Sequence, residues 1–196
     1  MRKISVFLVI AIVVMLSTML ISCESDAASE GLWYQLTTDG SGYVVTSLGN
    51  CEDKKIIIPE EYNGKPVVEI APLAFYYCYS VVEVKMPNTI TKIGYSAFEG
   101  CNNLESIKLS NSLTTIEYDA FLSCNSLTSI AIPKSVTSIG RGIFNYCYEL
   151  KRINFTGTVK QWQAIDKPDG WDVRTGDYTV YCIIGKILKN GEVRYL

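Results

Sequence analysis

Histidine is absent from all 196 residues. That absence excludes Ser-His-Asp and Cys-His nucleophilic sites, and with them every metal site that depends on imidazole. No Cys-x-x-Cys pair occurs either, so a closed zinc site has no support, and no metal or other cofactor is expected. Phosphate-cradling glycine loops are missing, because Gly40 and Gly42 sit in an Asp-Gly-Ser-Gly turn without the strand-loop-helix frame of a nucleotide site. Charge is sparse and nearly balanced, with 18 basic and 20 acidic residues and a net charge of -2. Proteins that neutralise phosphate backbones carry a surplus of Lys and Arg, so no nucleic-acid partner is expected. Glu117 and Asp119 are close enough to suggest an acid and base pair, but a solvated surface turn explains them more simply. No catalytic residue is assigned, and a non-enzyme is expected.

What the chain has in plenty is apolar surface: 48% hydrophobic against 19% charged residues describes one packed body. Arg2 and Lys3 precede a nearly unbroken apolar run from Ile4 to Ile21, the form of an export signal, with an uncleaved spanning helix of about 20 residues as the alternative. Leu20-Ile21-Ser22-Cys23 resembles the bacterial lipobox, although Ile21 is a less typical filler. That resemblance implies cleavage before Cys23, lipidation of its thiol, and attachment to the membrane through the lipid, where more than one acyl chain suffices for stable anchoring. Ordinary secretion with an unmodified Cys23 is the competing reading. Residues 1–22 are therefore expected to be a lipoprotein signal peptide and residues 23–31 a polar tether.

The body repeats. Cys78, Cys101, Cys124 and Cys147 recur at a constant step of 23, each preceded by a Phe at 75, 98, 121 and 144. Ile70, Ile93, Ile116 and Ile139 keep the same step, as do Val81, Leu104, Leu127 and Leu150. In the unit from Leu127 to Glu149, Leu127, Ile130 and Ile132 alternate with outward Ser129 and Ala131, which predicts a short strand. Pro133 stops it by lacking a ladder donor, a stop weakened in the preceding unit by Ser110. Val136 and Ile139 point back inward from an extended return. Gly94 and Gly140 suit the bend that follows, with Glu117 between them, and Phe144 and Cys147 share one side of a short helical turn. Such units cannot bury their apolar faces alone, so they must stack, and each column becomes a ladder through the core.

The L-x-x-I-x-I phrase and the recurring Cys resemble the cysteine-bearing leucine-rich repeats of the BspA type, Treponema-like and of the same step, known from bacterial surface lipoproteins. The resemblance covers most of the chain after the tether. Ile56 to Phe75 matches an opening unit with a longer turn over Glu60 to Val67, and Gly157 to Asp172 resembles a closing segment. It implies a right-handed β/α leucine-rich-repeat superhelix, β-rich with short helical turns, whose short parallel concave sheet is capped at both ends. A capping hairpin over 32–55, an array over 56–156 and a C-terminal cap over 157–196 follow. Within the caps, Asp39-Gly40-Ser41-Gly42 predicts a hairpin turn, Thr158 a helix cap that presents Trp162 and Ile165, and Asn190-Gly191 a type I′ turn.

The recurring cysteines are expected to be buried structural thiols, while Cys51 and Cys182 lie outside the ladder at opposite ends, so no obligatory disulfide is expected. The alternation turns Glu83, Lys85, Ser106, Lys108, Ser129, Ala131, Arg152 and Asn154 outward on the concave face, the expected binding surface. Tyrosines around the turns (Tyr76, Tyr77, Tyr79, Tyr95, Tyr118, Tyr146, Tyr148) form a second candidate, since tyrosine joins contact area to a polar tip. The family implies adhesion or ligand capture outside the cell, facing outward or into the periplasm, by a monomer with an extracellular protein or glycan partner. A structural envelope lipoprotein is the second reading, and a hydrolase a distant third.

Overall fold

The constant step of the repeat becomes the pitch of a coiled chain. The computed structural model describes residues 27–195, so the signal and Cys23 lie outside the described residues. Strands β1 (Trp33–Leu36) and β2 (Tyr43–Ser47) form a hairpin, followed by β3 (Lys55–Ile57), β4 (Glu61–Tyr62) and β5 (Lys65–Ile70). Each later unit supplies a repeat strand and a return strand: β6 (Glu83–Lys85) with β7 (Lys92–Ile93), β8 (Ser106–Lys108) with β9 (Thr115–Ile116), and β10 (Ser129–Ile132) with β11 (Ser138–Ile139). The chain closes with β12 (Arg152–Phe155), helix α1 (Val159–Gln163), β13 (Thr179–Cys182), β14 (Gly185–Leu188) and β15 (Val193–Tyr195).

Stacking sorts these strands into two faces. Repeat strands pair in parallel, Ile56 beside Val84 beside Ile107, then Ile130 beside Ile153 beside Val180. β8 and β10 are neighbours without a continuous ladder, so this face has two parts. Return strands make the other face in the order β1-β2-β5-β7-β9-β11, with Ile70, Ile93, Ile116 and Ile139 aligned. The opening hairpin thus extends the return sheet, through β2 on β5, and leaves the edge of β3 to another segment. Ser29 covers that edge: its N–H donates to the Ile57 carbonyl, and its hydroxyl accepts from the Ile57 N–H. The last residues expected in the tether are therefore already fixed to the body.

Between the faces lies the core. Phe75, Phe98, Phe121 and Phe144 are fully buried and stack at centroid distances of 5.0, 5.5 and 5.9 Å, close to the rise set by neighbouring strands. Burying each such side chain contributes about 1.5–3 kcal/mol, which is why the columns tolerate so little chemical change.

Three local expectations are revised. The turns between return and repeat strands are not helical, because two residues in each adopt left-handed backbone: Leu73, Ser96, Asp119 and Gly142 in one column, Tyr77, Gly100, Ser123 and Tyr146 in the other. Each left-handed residue turns its N–H to the carbonyl of the next unit, as Ser96 does to Tyr118 and Ser123 to Asn145. Among the described residues the one α-helix is α1, whose Thr158 and Gln161 form a reciprocal capping box and whose Trp162 is buried. Gly94 and Gly140 are not needed for backbone handedness; a Cβ at Gly140 would lie 2.3 Å from the Tyr118 nitrogen, so close approach of units is the reason for glycine. The type I′ turn is Asn63-Gly64 between β4 and β5, where both residues are left-handed, whereas at Asn190-Gly191 only the glycine is.

Cys51 also belongs with the ladder. Leu48 and Cys51 stand 27 positions before Phe75 and Cys78, and the Leu48 N–H donates to the Ala74 carbonyl as the Phe75 N–H does to Ala97. A longer step there hid the equivalence. At the far end Thr175 takes the cysteine's place: its hydroxyl donates to the Phe144 carbonyl at 2.9 Å, as the Cys147 thiol donates to Phe121 at 3.0 Å.

Candidate binding surfaces

The outward positions of the repeat strands form two rows. One runs Lys55, Glu83, Ser106, Ser129, Arg152, Thr179; the other runs Ile57, Lys85, Lys108, Ala131, Asn154, Tyr181 and continues antiparallel to Lys186 and Arg194. All eight residues expected on this face are in these rows, brought side by side by the stacking. Ser106, Lys108, Ser129, Ala131 and Arg152 are exposed, while Glu83, Lys85 and Asn154 are partly covered.

Sequence reasoning missed Lys55, Tyr181, Lys186 and Arg194. The alternation in Thr179–Cys182 was visible, but Val180 follows Ile153 by a step of 27, so a search at a step of 23 passes over it. With these additions the two rows hold six basic side chains, Lys55, Lys85, Lys108, Arg152, Lys186 and Arg194, against the single carboxylate Glu83. Lys55 reaches Glu83 at 3.8 Å, and Arg194 reaches Glu192 at 2.7 Å beside the row. The Arg152 guanidinium lies 4.1 Å over the Tyr181 ring, which holds it flat on the sheet. The face is therefore basic on a chain whose net charge is -2.

Tyrosines cluster on the turns. Tyr76, Tyr77 and Tyr79 meet edge to face at 4.5 and 5.7 Å, and Tyr146 meets Tyr148 at 6.0 Å, while Tyr95 and Tyr118 stack at 4.9 Å. Their exposed edges are real, but each ring also packs on another. Beside Tyr118, a cleft of about 810 Å³ opens between the turns of adjacent units. Glu117 and Asp119 line it rather than standing in a fully solvated turn. Glu117 forms an ion pair with Lys92 at 2.7 Å and accepts the Tyr95 N–H at 2.9 Å, a donor that the glycine of neighbouring units cannot satisfy. Burial pushes the Asp119 carboxyl up, with the nearby Glu99 adding to the rise and Arg141 opposing it.

The recurring thiols are chemically quiet. Cys101, Cys124 and Cys147 are fully buried and donate to Phe75, Phe98 and Phe121 carbonyls at 3.0, 3.2 and 3.0 Å. Burial pushes the Cys101 thiol up to about 12, so the reactive thiolate is scarce at neutral pH. Cys78, at the start of the array, is only half-buried. No group of three or more metal-ligating side chains occurs among the described residues, and no helix there is long and apolar enough to cross a membrane.

Two parallel faces joined at a regular step, with isoleucine, phenylalanine and cysteine ladders between them, define a leucine-rich-repeat solenoid, the class whose stacked strands form extended binding platforms. The particular family follows from comparison. The BspA type leucine rich repeat region matches in six copies over residues 47–164, more than half of the chain, and the chain belongs to that family. Its first matched residues take in the displaced Leu48 and Cys51. Among solved structures it is similar to the leucine-rich repeat protein of T. pallidum, at 35% identity and a TM-score of 0.63, over 65% of this chain and 59% of that one. A leucine-rich repeat protein from Bacteroides capillosus ATCC 29799 is 28% identical with a TM-score of 0.59, over 67% of this chain and 98% of that one. A leucine rich cell surface protein from Faecalibacterium prausnitzii A2-165 shares the fold at 19% identity and a TM-score of 0.50, over 86% of this chain and 60% of that one. The chain thus spans 59% of the length of the Treponema protein. No curated protein matches it.

Proposed function

We propose that this chain is an exported, lipid-anchored, non-catalytic module, acting as a monomer, that captures a partner with a negatively charged surface on its repeat-strand face. The supporting observation is the pair of rows in which six basic side chains face one carboxylate. Charge gathered on one face raises the encounter rate with an oppositely charged partner and makes capture depend on salt. A structural relative described as a cell surface protein has the setting this reading requires.

Two experiments test it. Reversing Lys85, Lys108 and Arg152 together to glutamate is expected to weaken retention on immobilised heparin and on immobilised polyglutamate by at least tenfold, on the order of 1.4 kcal/mol, with neutral dextran as the control. Equal retention of the reversed and native chains removes this face from the proposal. For the anchor, a Cys23→Ala variant expressed in a bacterium is expected to leave the lipid-labelled membrane fraction. A full-length variant that stays there with the native protein refutes lipidation at Cys23.

A further inference from the structure

The repeat makes packing positions recognisable, so positions that break it carry information of a different kind. One such break, at Glu117, and three positions whose columns do not repeat converge on the cleft beside Tyr118. Glu117 stands where neighbouring units have Ala71, Gly94 and Gly140, and Asp119 where they have Leu73, Ser96 and Gly142. Arg141 follows Pro72, Tyr95 and Tyr118 in its column, and Asn145 follows Tyr76, Glu99 and Leu122. All four of these residues line the one cleft, together with Tyr118, Thr115 and Ser138. Only Glu117 among them also ties its unit to the one before, through Lys92 and the Tyr95 N–H.

We propose that this cleft is a second binding site, separate from the repeat-strand face, and that it takes one or two residues of a neutral saccharide.

Size is the first reason: about 810 Å³ lies within the range of small-molecule pockets, roughly 300–1,000 Å³. Charge is the second. Glu117 is paired with Lys92 at 2.7 Å, and Asp119 shares the lining with Arg141, so the two carboxylates of the cleft stand with two basic side chains and its charge is near balance. What remains is a close set of acceptors and donors: two carboxylates, a guanidinium, an amide and two hydroxyls, the mixture that adjacent sugar hydroxyls engage. Gly142 makes room for the arrangement, since a Cβ there would lie 2.3 Å from the Asp119 Oδ1 atom.

The aromatic ring is the third reason. Tyr118 is 48% exposed, and Tyr95 stacks on it at 4.9 Å with only 2° between the planes. One face of Tyr118 is thereby held by the unit below, and the ring borders the cleft toward the unit above. A fixed ring beside hydroxyl-binding groups suits a sugar, whose C–H face is apolar and whose rim is polar.

Saturation-transfer NMR on the full-length chain in detergent tests the proposal with glucose, galactose, mannose and N-acetylglucosamine, using glucosamine and N-acetylneuraminic acid as charged controls. At least one neutral sugar is expected to bind with a millimolar Kd, weakened tenfold or more by Tyr118→Ala and by Asp119→Asn. The Lys85, Lys108, Arg152 triple reversal is expected to leave that binding unchanged, which separates this site from the repeat-strand face. Asp119→Asn keeps the side-chain shape in a left-handed position that asparagine accepts, so it carries the test if Tyr118→Ala lowers the melting temperature. No saturation by any neutral sugar, stronger binding of the charged controls, or sugar binding indifferent to both cleft variants overturns the proposal.

Discussion

Replacing Phe121 with alanine is expected to lower folding stability by about 3–5 kcal/mol, a large share of the roughly 5–15 kcal/mol that holds a domain together. Phe121 is fully buried and stands between two other rings, Phe98 at 5.5 Å and Phe144 at 5.9 Å. Truncation therefore removes its own burial and one ring partner from each neighbour. In a stack where each unit touches only its neighbours, the cavity also weakens coupling between the two halves of the array, which the isoleucine column and the backbone bonds still join. Phe75 provides the comparison, because it stacks on Phe98 alone, and Phe75→Ala should cost less by about 0.5–1.5 kcal/mol, the worth of one aromatic pair. Urea unfolding followed by circular dichroism measures both. Trp33 near one end and Trp162 and Trp171 near the other allow fluorescence to show whether the halves unfold apart. A loss below about 1 kcal/mol for Phe121→Ala would mean that the ladder closes over the missing ring, contrary to the rigid stacking argued here.

The columns that make Phe121 important were readable because the step was constant. Where the step lengthened, the same physics became invisible in the sequence although it persisted in space. Leu48 and Cys51 precede their equivalents by a longer step than the later units keep, and Thr175 does the work of a cysteine with a hydroxyl, so neither residue type nor spacing marked it. The left-handed backbone at Leu73, Ser96 and Tyr77 was hidden for another reason. These residues are poor candidates for that conformation by themselves; the bonds their N–H groups make to the next unit hold them there. The eight outward residues of the repeat strands were legible because alternation alone assigns a face. Their basic extension through Lys186 and Arg194 was not, since it depends on β14 and β15 folding back onto β13. The cleft depends on the gap between two turns, which no periodicity reports.

The close approach of units also yields the second large effect. Gly140→Ala is expected to cost about 3 kcal/mol, at the upper end of overpacking, because its Cβ would meet backbone and not a side chain that could swing aside. The nearest atoms are the Tyr118 nitrogen at 2.3 Å and the Glu117 carbonyl carbon at 2.6 Å. Moving them would strain the bond from the Gly140 N–H to the Ile116 carbonyl, 2.7 Å long, which joins the two return segments. Glu117 carries a side chain at the same place in the preceding unit, so the column can accept a Cβ where the backbone has been set for one, and there the carboxylate returns a bond to Tyr95. Gly64 separates crowding from handedness. Its φ is +74° in the β4–β5 turn, and a Cβ there would meet nothing within 4 Å, so Gly64→Ala isolates the cost of left-handed backbone, about 1–2 kcal/mol. Gly140 is not left-handed. If chemical denaturation shows Gly64→Ala to be as damaging as Gly140→Ala, backbone handedness and not the contact between units governs these glycines, and the account of how the turns stack must change.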